Sequence, residues 1–220
     1  MSIFDEAEVV KKYEAEALTF YVLTAIKAMN PKTVVVEEVQ AYSESPASMM
    51  LRTVLAQMGY GISETVATEK HTKRKRWVLV VNMNGKVNLN NLIVDNNKTI
   101  IDFLETSIED REWKPACEHP RIAKNVTGEK KGVGIRSVLP SEKMVNTFTT
   151  HWTRGTEPIL QKESGVDLYS EFSNREIANI HGISKNFKLD SRKGVSRRIL
   201  GQGVTDMFKE VAERILELSA

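Results

Sequence analysis

The fold is decided by residues 25–39, which read AIKAMNPKTVVVEEV. Apolar residues recur at helical spacing from about residue 5 to residue 29, and Asn30-Pro31 ends this helix because a proline ring disfavours helical geometry at the residue before it. The β-branched run Thr33–Val36 predicts a strand, and its uniformly apolar character predicts burial on both faces, as in a parallel sheet. The face of the helix predicted to be apolar comprises Val10, Tyr13, Ala17, Leu18, Tyr21, Val22, Ala25, Ile26 and Met29.

Two acidic residues, Glu37 and Glu38, follow this run directly. Open α/β sheets bind their ligands beyond the carboxyl ends of their strands, so this is a candidate site. One explanation is structural: one glutamate caps a following helix and the other is solvated. The alternative is a carboxyl group in a cleft, which exchanges a proton or hydrogen-bonds a ligand ring.

Residues beyond this stretch continue an alternating α/β pattern. A helix is predicted from Ala47 to Met58, with Gly59 as its C-cap because glycine accepts the left-handed conformation. Strands are predicted over Ile62–Ala67 and Arg76–Asn82. The order helix, strand, helix, strand, turn, strand is typical of an α/β domain.

The turn between the two later strands, residues 70–76, is strongly basic, with five cations in the sequence KHTKRKR. Most such runs are solvated loops. The period of two in the following strand predicts that Arg74 and Arg76 point to the same side. Two guanidinium groups on one face favour binding of an anion or a base edge.

Composition excludes several classes of protein. The chain has 220 residues, 41% of them hydrophobic and 27% charged, which is typical of a globular protein and not of a disordered one. No apolar run approaches the roughly 18 residues that span a membrane, and the acidic N-terminus predicts no signal peptide and a cytoplasmic location. Cys117, the single cysteine, excludes an internal disulfide, and with His119 it makes too few ligands for a metal site.

The second half of the chain is less regular. Short helices are predicted at Thr99–Leu104 and over residues 174–181, the latter capped by Ser173 or Asn174, and a closing helix over Gly203–Leu218. The net charge is +2, yet residues 121–155 hold seven basic and two acidic residues, +7 − 2 = +5. Gly201-Gln202-Gly203 before the closing helix is a weak indication of a phosphate-binding turn.

Taken in order, these segments resemble the C-terminal two thirds of the cytosine-5 DNA methyltransferases. Each segment is similar to one family element, and the segments are spread in the family's order from residue 25 to residue 204. They are Ala25–Val39, similar to the strand that ends in Glu-Asn-Val; Leu55–Tyr60, similar to the leucine-glycine-tyrosine element; Thr72–Val80, similar to Gln-x-Arg-x-Arg; Phe172–Ile183, similar to Leu-Thr-x-Arg-Glu-x-Ala-x-Leu-Gln-Gly-Phe; and Ile199–Val204, similar to Gly-Asn-x-Val.

The resemblance implies an α/β fold, the C-terminal part of a Rossmann-like methyltransferase sheet with a small irregular target-recognition domain. In this family a Pro-Cys cysteine attacks C6 of a flipped-out cytosine, a glutamate contacts N3, and C5 takes a methyl group from S-adenosylmethionine. Glu37 matches the base-binding glutamate, and Arg74 and Arg76 match the motif arginines, so these are the candidate catalytic residues. The candidate cofactor-binding residues are Gly201, Gln202 and Val204, and Arg175 and Glu176 match a mainly structural pair.

The resemblance also divides the chain. Residues 1–84 would be a partial catalytic domain, residues 85–165 the target-recognition region, and residues 166–220 the closing motifs and the helix that returns to the catalytic domain. Double-stranded DNA is the expected partner, since clustered lysines and arginines supply phosphate contacts. The candidate nucleic-acid-binding residues are Lys73, Lys75, Lys124, Lys130, Lys131, Arg136 and Arg154.

Departures from the family pattern leave two hypotheses. Four positions carry other residues than the family has: Glu38 for Asn, Thr72 for Gln, Gln202 for Asn and Ser170 for Arg. The resemblance implies that the glycine-rich cofactor loop and the Pro-Cys nucleophile loop belong before the stretch that this chain matches. Pro115-Ala116-Cys117 does not replace the nucleophile loop, because it has the wrong spacing and lies in the predicted recognition region. We therefore expect S-adenosylmethionine to bind only with a second protein chain, in a split enzyme. The alternative is a catalytically silent DNA-binding or regulatory protein.

Overall fold

The computed structural model describes residues 6–90, 92, 97–119, 136–149, 157–163, 167–203 and 205–219. The chain has a mixed α/β fold with two sheets. It divides into two compact units. The first unit consists of Met1–Ala67, Lys75–Leu92 and Glu210–Ala220, and the second of Thr68–Arg74 and Ile93–Lys209.

The first unit contains two helices and a three-stranded sheet. Its elements are α1 (Glu6–Met29), β1 (Thr33–Val39), a 3₁₀ helix (Gln40–Glu44), α2 (Pro46–Gln57), β2 (Gly61–Thr68) and β3 (Lys75–Asn82). These bounds confirm the predicted helices and strands to within three residues. The strand order is β1-β3-β2, so β3 is central. Its residues 77–82 are all buried, as expected for the middle strand of a small sheet.

Turn and cap residues explain where the elements of the first unit end. Asn30 has a φ of 46°, a left-handed conformation that asparagine tolerates, and its N–H still donates to the carbonyl of Ile26. Ser45 caps α2 by accepting a hydrogen bond from the N–H of Ser48 at 3.1 Å. Gly59, with a φ of 90°, follows α2 as predicted, because a side chain at that φ would be strained.

The core of the first unit lies between the helices and the sheet. Its buried side chains are Leu23, Ile26, Leu51, Leu55, Tyr60, Trp77, Leu79 and Val81. The Tyr60 hydroxyl donates to the carbonyl of Pro31 at 2.6 Å, which satisfies the polar end of this buried ring. This contact holds the turn after α1 to the start of β2.

The environment of β1 differs from the prediction. The strand is half-buried along Thr33–Glu38, it runs antiparallel to β3, and it continues through Glu37 and Glu38 to Val39. Val34 and Val36 pack against the core, as alternate residues of one face do. The parallel, doubly buried arrangement was therefore wrong, because a β-branched run predicts a strand but does not determine its neighbours.

The apolar face predicted for α1 is also only partly buried. Leu23 and Ile26 contribute to the core, whereas Leu18, Tyr21 and Met29 are 63%, 69% and 71% exposed. Helical periodicity identifies apolar positions but not which of them meet a neighbour. The helix thus presents large apolar side chains on its surface.

The second unit is built from short elements. A 3₁₀ helix (Ile100–Phe103) replaces the predicted helix there, and four strands form a sheet in the order β4-β7-β6-β5. The strands are β4 (Lys114–Pro115), β5 (Ser137–Val138), β6 (Ile159–Gln161) and β7 (Leu168–Glu171). Periodicity could not find strands of two to four residues, because alternation needs a longer run.

The helices of the second unit are α3 (Asn174–Ile180) and α4 (Lys193–Gln202). Ser173 caps α3, as one of the two predicted options, and forms a capping box with Glu176. The helix α4 was not predicted from the sequence. It buries Leu200 in a core with Phe148, Leu160 and other apolar residues.

The closing helix α5 (Thr205–Ser219) begins two residues later than predicted and ends one residue later. Met207 and Val211 on its apolar stripe are buried, whereas Phe208 is exposed. In the part of the chain that the structure describes, no helix combines the length and apolar character needed to cross a membrane.

Candidate functional site

Glu37 and Arg76 meet on one face of the three-stranded sheet. The Arg76 Nε atom lies 2.5 Å from Glu37 Oε1. Both side chains are about one fifth exposed, so solvent reaches a pair that is otherwise enclosed. An ion pair this close restricts the orientation of both side chains.

The strand register produces this pair. Arg76 on β3 lies opposite Val39 on β1, and Glu37 is two residues before Val39, on the same face. Arg76 and Glu37 are therefore diagonal neighbours across an antiparallel ladder, within reach of a long side chain. The structure thus brings together two of the three predicted catalytic residues.

Glu38 makes a local contact and does not cap the following 3₁₀ helix, whose N-cap residue is Val39 and has no side-chain cap. Glu38 Oε2 accepts a hydrogen bond from the N–H of the next residue, Val39, at 3.1 Å. Alternation along β1 places Glu38 on the opposite face from Glu37. The two neighbouring glutamates therefore differ in environment, and only Glu37 pairs with Arg76.

Arg74, the third predicted catalytic residue, is buried in the second unit. Its Nη1 donates to the carbonyl of Gly201 at 2.8 Å and its Nη2 to the carbonyl of Gln202 at 3.2 Å. These carbonyls belong to the last turn of α4, where helical carbonyls have no partner within the helix. The guanidinium supplies that partner, and its positive charge lies at the negative end of the helix dipole.

The contacts of Arg74 correct two predictions. Arg74 precedes β3, which begins at Lys75, so the period of two does not apply to Arg74 and Arg76 as a pair. Gly201 and Gln202 lie at the C-terminal end of α4, and Gly203 has an ordinary φ of −65°. A phosphate-binding turn presents N–H groups at a helix N-terminus, whereas this turn presents carbonyls to an arginine.

Two of the three predicted cofactor-binding residues, Gly201 and Gln202, contact Arg74 through their backbone. The carbonyls of Gly201 and Gln202 are both bound to Arg74, and the N–H of Gly203 is bound within α4. Val204 lies outside the described residues. Gly201 and Gln202 thus connect a buried arginine to the end of α4, and their role toward a cofactor stays a prediction.

A buried polar cluster surrounds Arg74 and was missed in the sequence. Glu69 and Thr72 are nearly inaccessible, and the Thr72 hydroxyl donates to Glu69 Oε2. Glu69 Oε1 lies 3.9 Å from Arg74 Nε, and His181 Nδ1 lies 3.4 Å from Glu69 Oε2. One signal was available: Glu69 is an acid directly before the basic run, so it was a natural partner for one of its cations.

Arg175 and Glu176 are structural, as the family resemblance implied, but they do not pair with each other. Arg175 donates to the carbonyl of Phe187 at 2.7 Å and so holds the loop after α3. Glu176 accepts hydrogen bonds from Arg111 at 2.6 and 2.9 Å. Burial would raise the pKa of Glu176, but the hydrogen bonds from Arg111, Ser173 and Glu105 outweigh it and hold the pKa below its ordinary value of 4.5.

Three of the predicted nucleic-acid-binding residues lie in the described part of the chain. Lys73 and Lys75 are exposed, and Arg136 is half-buried. The backbone N–H of Lys73 donates to the carbonyl of Val145 at 2.8 Å, so this part of the basic turn is anchored. The others, Lys124, Lys130, Lys131 and Arg154, lie outside the described residues.

The single cysteine is exposed in a 3₁₀ helix (Ala116–Glu118) that directly follows β4 in the second unit. Its neighbour His119 is buried with its ring edge-on to Tyr169, 5.0 Å between ring centroids. Within the described residues no three His, Cys, Asp or Glu side chains are grouped to hold a metal ion.

Comparisons with solved structures agree with this architecture. The S. pombe Dnmt2 methyltransferase is 21% identical, with a TM-score of 0.71, and the match covers 90% of this chain and 70% of that one. The Entamoeba histolytica methyltransferase EhMeth is 18% identical with a TM-score of 0.65, covering 86% and 64%. A Spodoptera frugiperda DNMT2 mutant is 14% identical with a TM-score of 0.63, covering 86% and 67%. At these identities the similarity shows the fold.

Comparison with protein families is more specific. No curated protein sequence matches the chain. The model of the C-5 cytosine-specific DNA methylase family matches residues 7–217, which is nearly the entire chain. The chain therefore belongs to the C-5 cytosine-specific DNA methylase family.

Proposed function

We propose that the chain is one subunit of a split cytosine-5 DNA methyltransferase, in which Glu37 contacts the flipped cytosine. The observation that carries the proposal is the Glu37–Arg76 pair, at 2.5 Å on one face of the sheet. A chain that had lost all contact with a base would have no need of a charged pair on a half-buried strand, because burying charge costs free energy.

In this proposal each charged residue has a distinct task. Arg76 fixes the orientation of the Glu37 carboxyl group by facing Oε1, and Glu37 holds or transfers a proton at N3 of the base through its other oxygen. Arg74 acts as a positioning residue, since it binds the end of α4 and is buried. The base leaves the duplex for this contact, because its ring atoms are inaccessible in the stack.

The nucleophile and the cofactor loop are assigned to a second chain. Cys117 is the only cysteine of the sequence and lies in the short 3₁₀ helix after β4, whereas Glu37 belongs to the other unit. Family membership implies S-adenosylmethionine as the methyl donor in general, and the carbonyls of Gly201 and Gln202 are already bound by Arg74. We therefore assign cofactor binding to the assembled pair.

The surface of the first unit supports assembly with another chain. Leu18, Tyr21 and Met29 of α1 are mostly exposed. Large apolar side chains grouped at a surface favour association with another protein. In the described sheet β1 has β3 as its one neighbour, so it forms an edge able to accept a further strand. We propose that the second chain covers this helix and this edge.

DNA binding is assigned to the basic part of residues 85–165, proposed as the target-recognition region. Changing Lys130, Lys131 and Arg136 to alanine should weaken binding to duplex DNA and flatten its salt dependence, because each phosphate contact releases counterions. Binding is measured by fluorescence anisotropy over a series of salt concentrations. Unchanged affinity in the triple variant would place the DNA surface elsewhere.

The decisive experiment measures methyl incorporation into DNA by the co-expressed pair. Glu37→Gln keeps the size of the side chain but removes its acid–base chemistry, so activity should fall by about 10²–10⁴-fold. Glu38→Gln is the matched control, since Glu38 accepts a hydrogen bond from the backbone N–H of Val39 and does not pair with Arg76. Full activity in Glu37→Gln would remove Glu37 from the mechanism.

The isolated chain should bind S-adenosylmethionine weakly or not at all in calorimetry, and tight binding would contradict the split site.

A second candidate function is a catalytically silent, methyltransferase-like DNA-binding or regulatory protein. The buried cluster favours it: Thr72, where the family has Gln, is hydrogen-bonded to Glu69, and Arg74 is committed to a helix end. Both residues then stabilise the fold. A wild-type pair that binds DNA but transfers no methyl group would support this alternative.

A further inference from the structure

A cleft in the second unit has a lysine-rich lining that the sequence analysis did not single out. Its volume is about 450 Å³, within the range of ligand sites in proteins. Three segments form its walls: residues 70–71 of the basic turn, residues 98–104 around the first 3₁₀ helix of this unit, and residues 179–185 after α3. Each segment contributes one lysine, namely Lys70, Lys98 and Lys185.

The charge of the lining favours an anion. The three lysines and Asp102 sum to +3 − 1 = +2. Asp102 is already engaged, because its Oδ2 accepts hydrogen bonds from the N–H of Thr99 at 2.7 Å and from its hydroxyl at 3.2 Å. It therefore serves as a helix cap, and the lining as a whole has a formal charge of +2, which favours an anionic ligand.

The walls of the cleft are held by contacts on the buried side. The ring of His71 lies against Phe103, 4.4 Å between centroids, and His71 Nδ1 lies 3.2 Å from the carbonyl of Lys143. The Asn179 amide donates to the carbonyl of Phe103 at 3.1 Å. These contacts join the three walls, so the site is formed before a ligand arrives, which lowers the cost of binding.

The opposite wall turns sharply at Gly182, whose φ is 71°. Its N–H donates to the carbonyl of Asn179 at 3.0 Å, and the next N–H, of Ile183, donates to Ala178 at 2.9 Å. Arg175 fixes the following loop through the carbonyls of Ser184 and Phe187. Lys185 is thereby presented from an anchored loop.

We propose that this cleft binds the phosphodiester backbone of a nucleic-acid strand, which deepens and rests on the proposed function. The lining combines cations with an apolar surface from Phe103, Leu104 and Ile183. A sugar-phosphate unit has this combination of a charged group and an apolar body, and a 450 Å³ cleft has room for more than a free inorganic anion. DNA and RNA share the chemistry, and the experiment distinguishes them.

The test compares two double variants of the full chain. Lys70→Gln with Lys185→Gln removes two charges from the cleft, and Lys114→Gln with Lys162→Gln removes two charges from the β4–β7 region of the same unit. Binding of labelled duplex DNA and of single-stranded RNA is measured by anisotropy against salt. The cleft variant should bind roughly two- to five-fold more weakly per lysine, and its log–log salt slope on duplex DNA should fall by about 1.8, at about 0.9 per contact.

The amide resonances of Gly182 and Ser184 supply a second readout, with inorganic phosphate and a short oligonucleotide as probes. Shifts with the oligonucleotide that disappear in the cleft variant support the site. Equal affinity and slope in the cleft and control variants would overturn it, as would shifts with inorganic phosphate alone. Loss of RNA binding but not of DNA binding identifies RNA as the ligand. An inert methyltransferase pair whose cleft variant still loses nucleic-acid binding would overturn the proposed catalysis and leave this site intact.

Discussion

Replacing Glu176 with glutamine tests the most completely hydrogen-bonded buried charge of the second unit. The carboxylate is 1% exposed and receives two hydrogen bonds from Arg111, one from the N–H of Ser173 and one from the N–H of Glu105. Glutamine has the same shape but only one oxygen. The NH₂ group of the glutamine would face N–H donors at the place where a carboxylate oxygen now accepts their hydrogen bonds. The Arg111 charge would also lose its counter-ion.

The expected loss of stability follows from this geometry. Removing one partner of a buried ion pair costs about 3–5 kcal/mol, because the remaining charge stays desolvated. For a chain of this length that corresponds to a fall in Tm of about 6–20 °C. Glu171→Gln is the matched control: Glu171 is half exposed, its cationic partners are 3.7 and 3.8 Å away, and exposed pairs contribute about 0–1 kcal/mol.

The assay is urea and thermal unfolding followed by circular dichroism, on both variants and the wild type. pH supplies an independent check. Because the pKa of Glu176 is lower in the folded protein than its ordinary value of 4.5, its contribution is present above about pH 4.5 and is lost as the pH falls through the folded pKa. The Glu176→Gln variant should lack this part of the acid destabilisation. If it were as stable as Glu171→Gln, the account of a buried, essential charge would be refuted.

Three further predictions concern packing and local geometry, each measured as the free energy of unfolding in urea. Leu55→Ala should cost about 2–5 kcal/mol, since Leu55 is fully buried, whereas Val66→Ala at an exposed position should cost far less. Ser173→Ala should cost about 0.5–2 kcal/mol by removing the cap of α3, and Ser173→Asp should restore most of it. Gly61→Ala should be destabilising by about 1–3 kcal/mol because its Cβ would overlap the backbone of Gly85, and wild-type stability of this variant would contradict the close approach of the two glycines.

Much of the secondary structure was predictable from local sequence. The helices α1 and α2 and the strands β2 and β3 follow from periodicity and breakers, and Gly59 and Ser173 occupy the cap positions expected of their residue types. These features depend on the backbone preferences of a few neighbouring residues. The helix α4 was not predicted because its sequence, KGVSRRILGQ, is mostly polar and contains two glycines.

The candidate site was also only partly predictable from the sequence. Glu37, Arg74 and Arg76 were identifiable from a resemblance carried by short motifs, but their partners were not. The pairing of Glu37 with Arg76 depends on the register of β1 against β3. Arg74 binds carbonyls 127 and 128 residues away, and no local pattern in the sequence indicates these partners.

The order of the main helices and strands in the first unit, their caps and the family membership could all be predicted from the amino-acid sequence. The antiparallel direction of β1, the exposure of α1, the buried Glu69 and Glu176 networks and the lysine-lined cleft became visible only in the folded chain. The physical reason is that helix and strand propensities act over a few residues, whereas ion pairs and clefts arise where distant segments meet. Which segments meet is set by the packing of the whole unit and leaves no periodic signal in the chain.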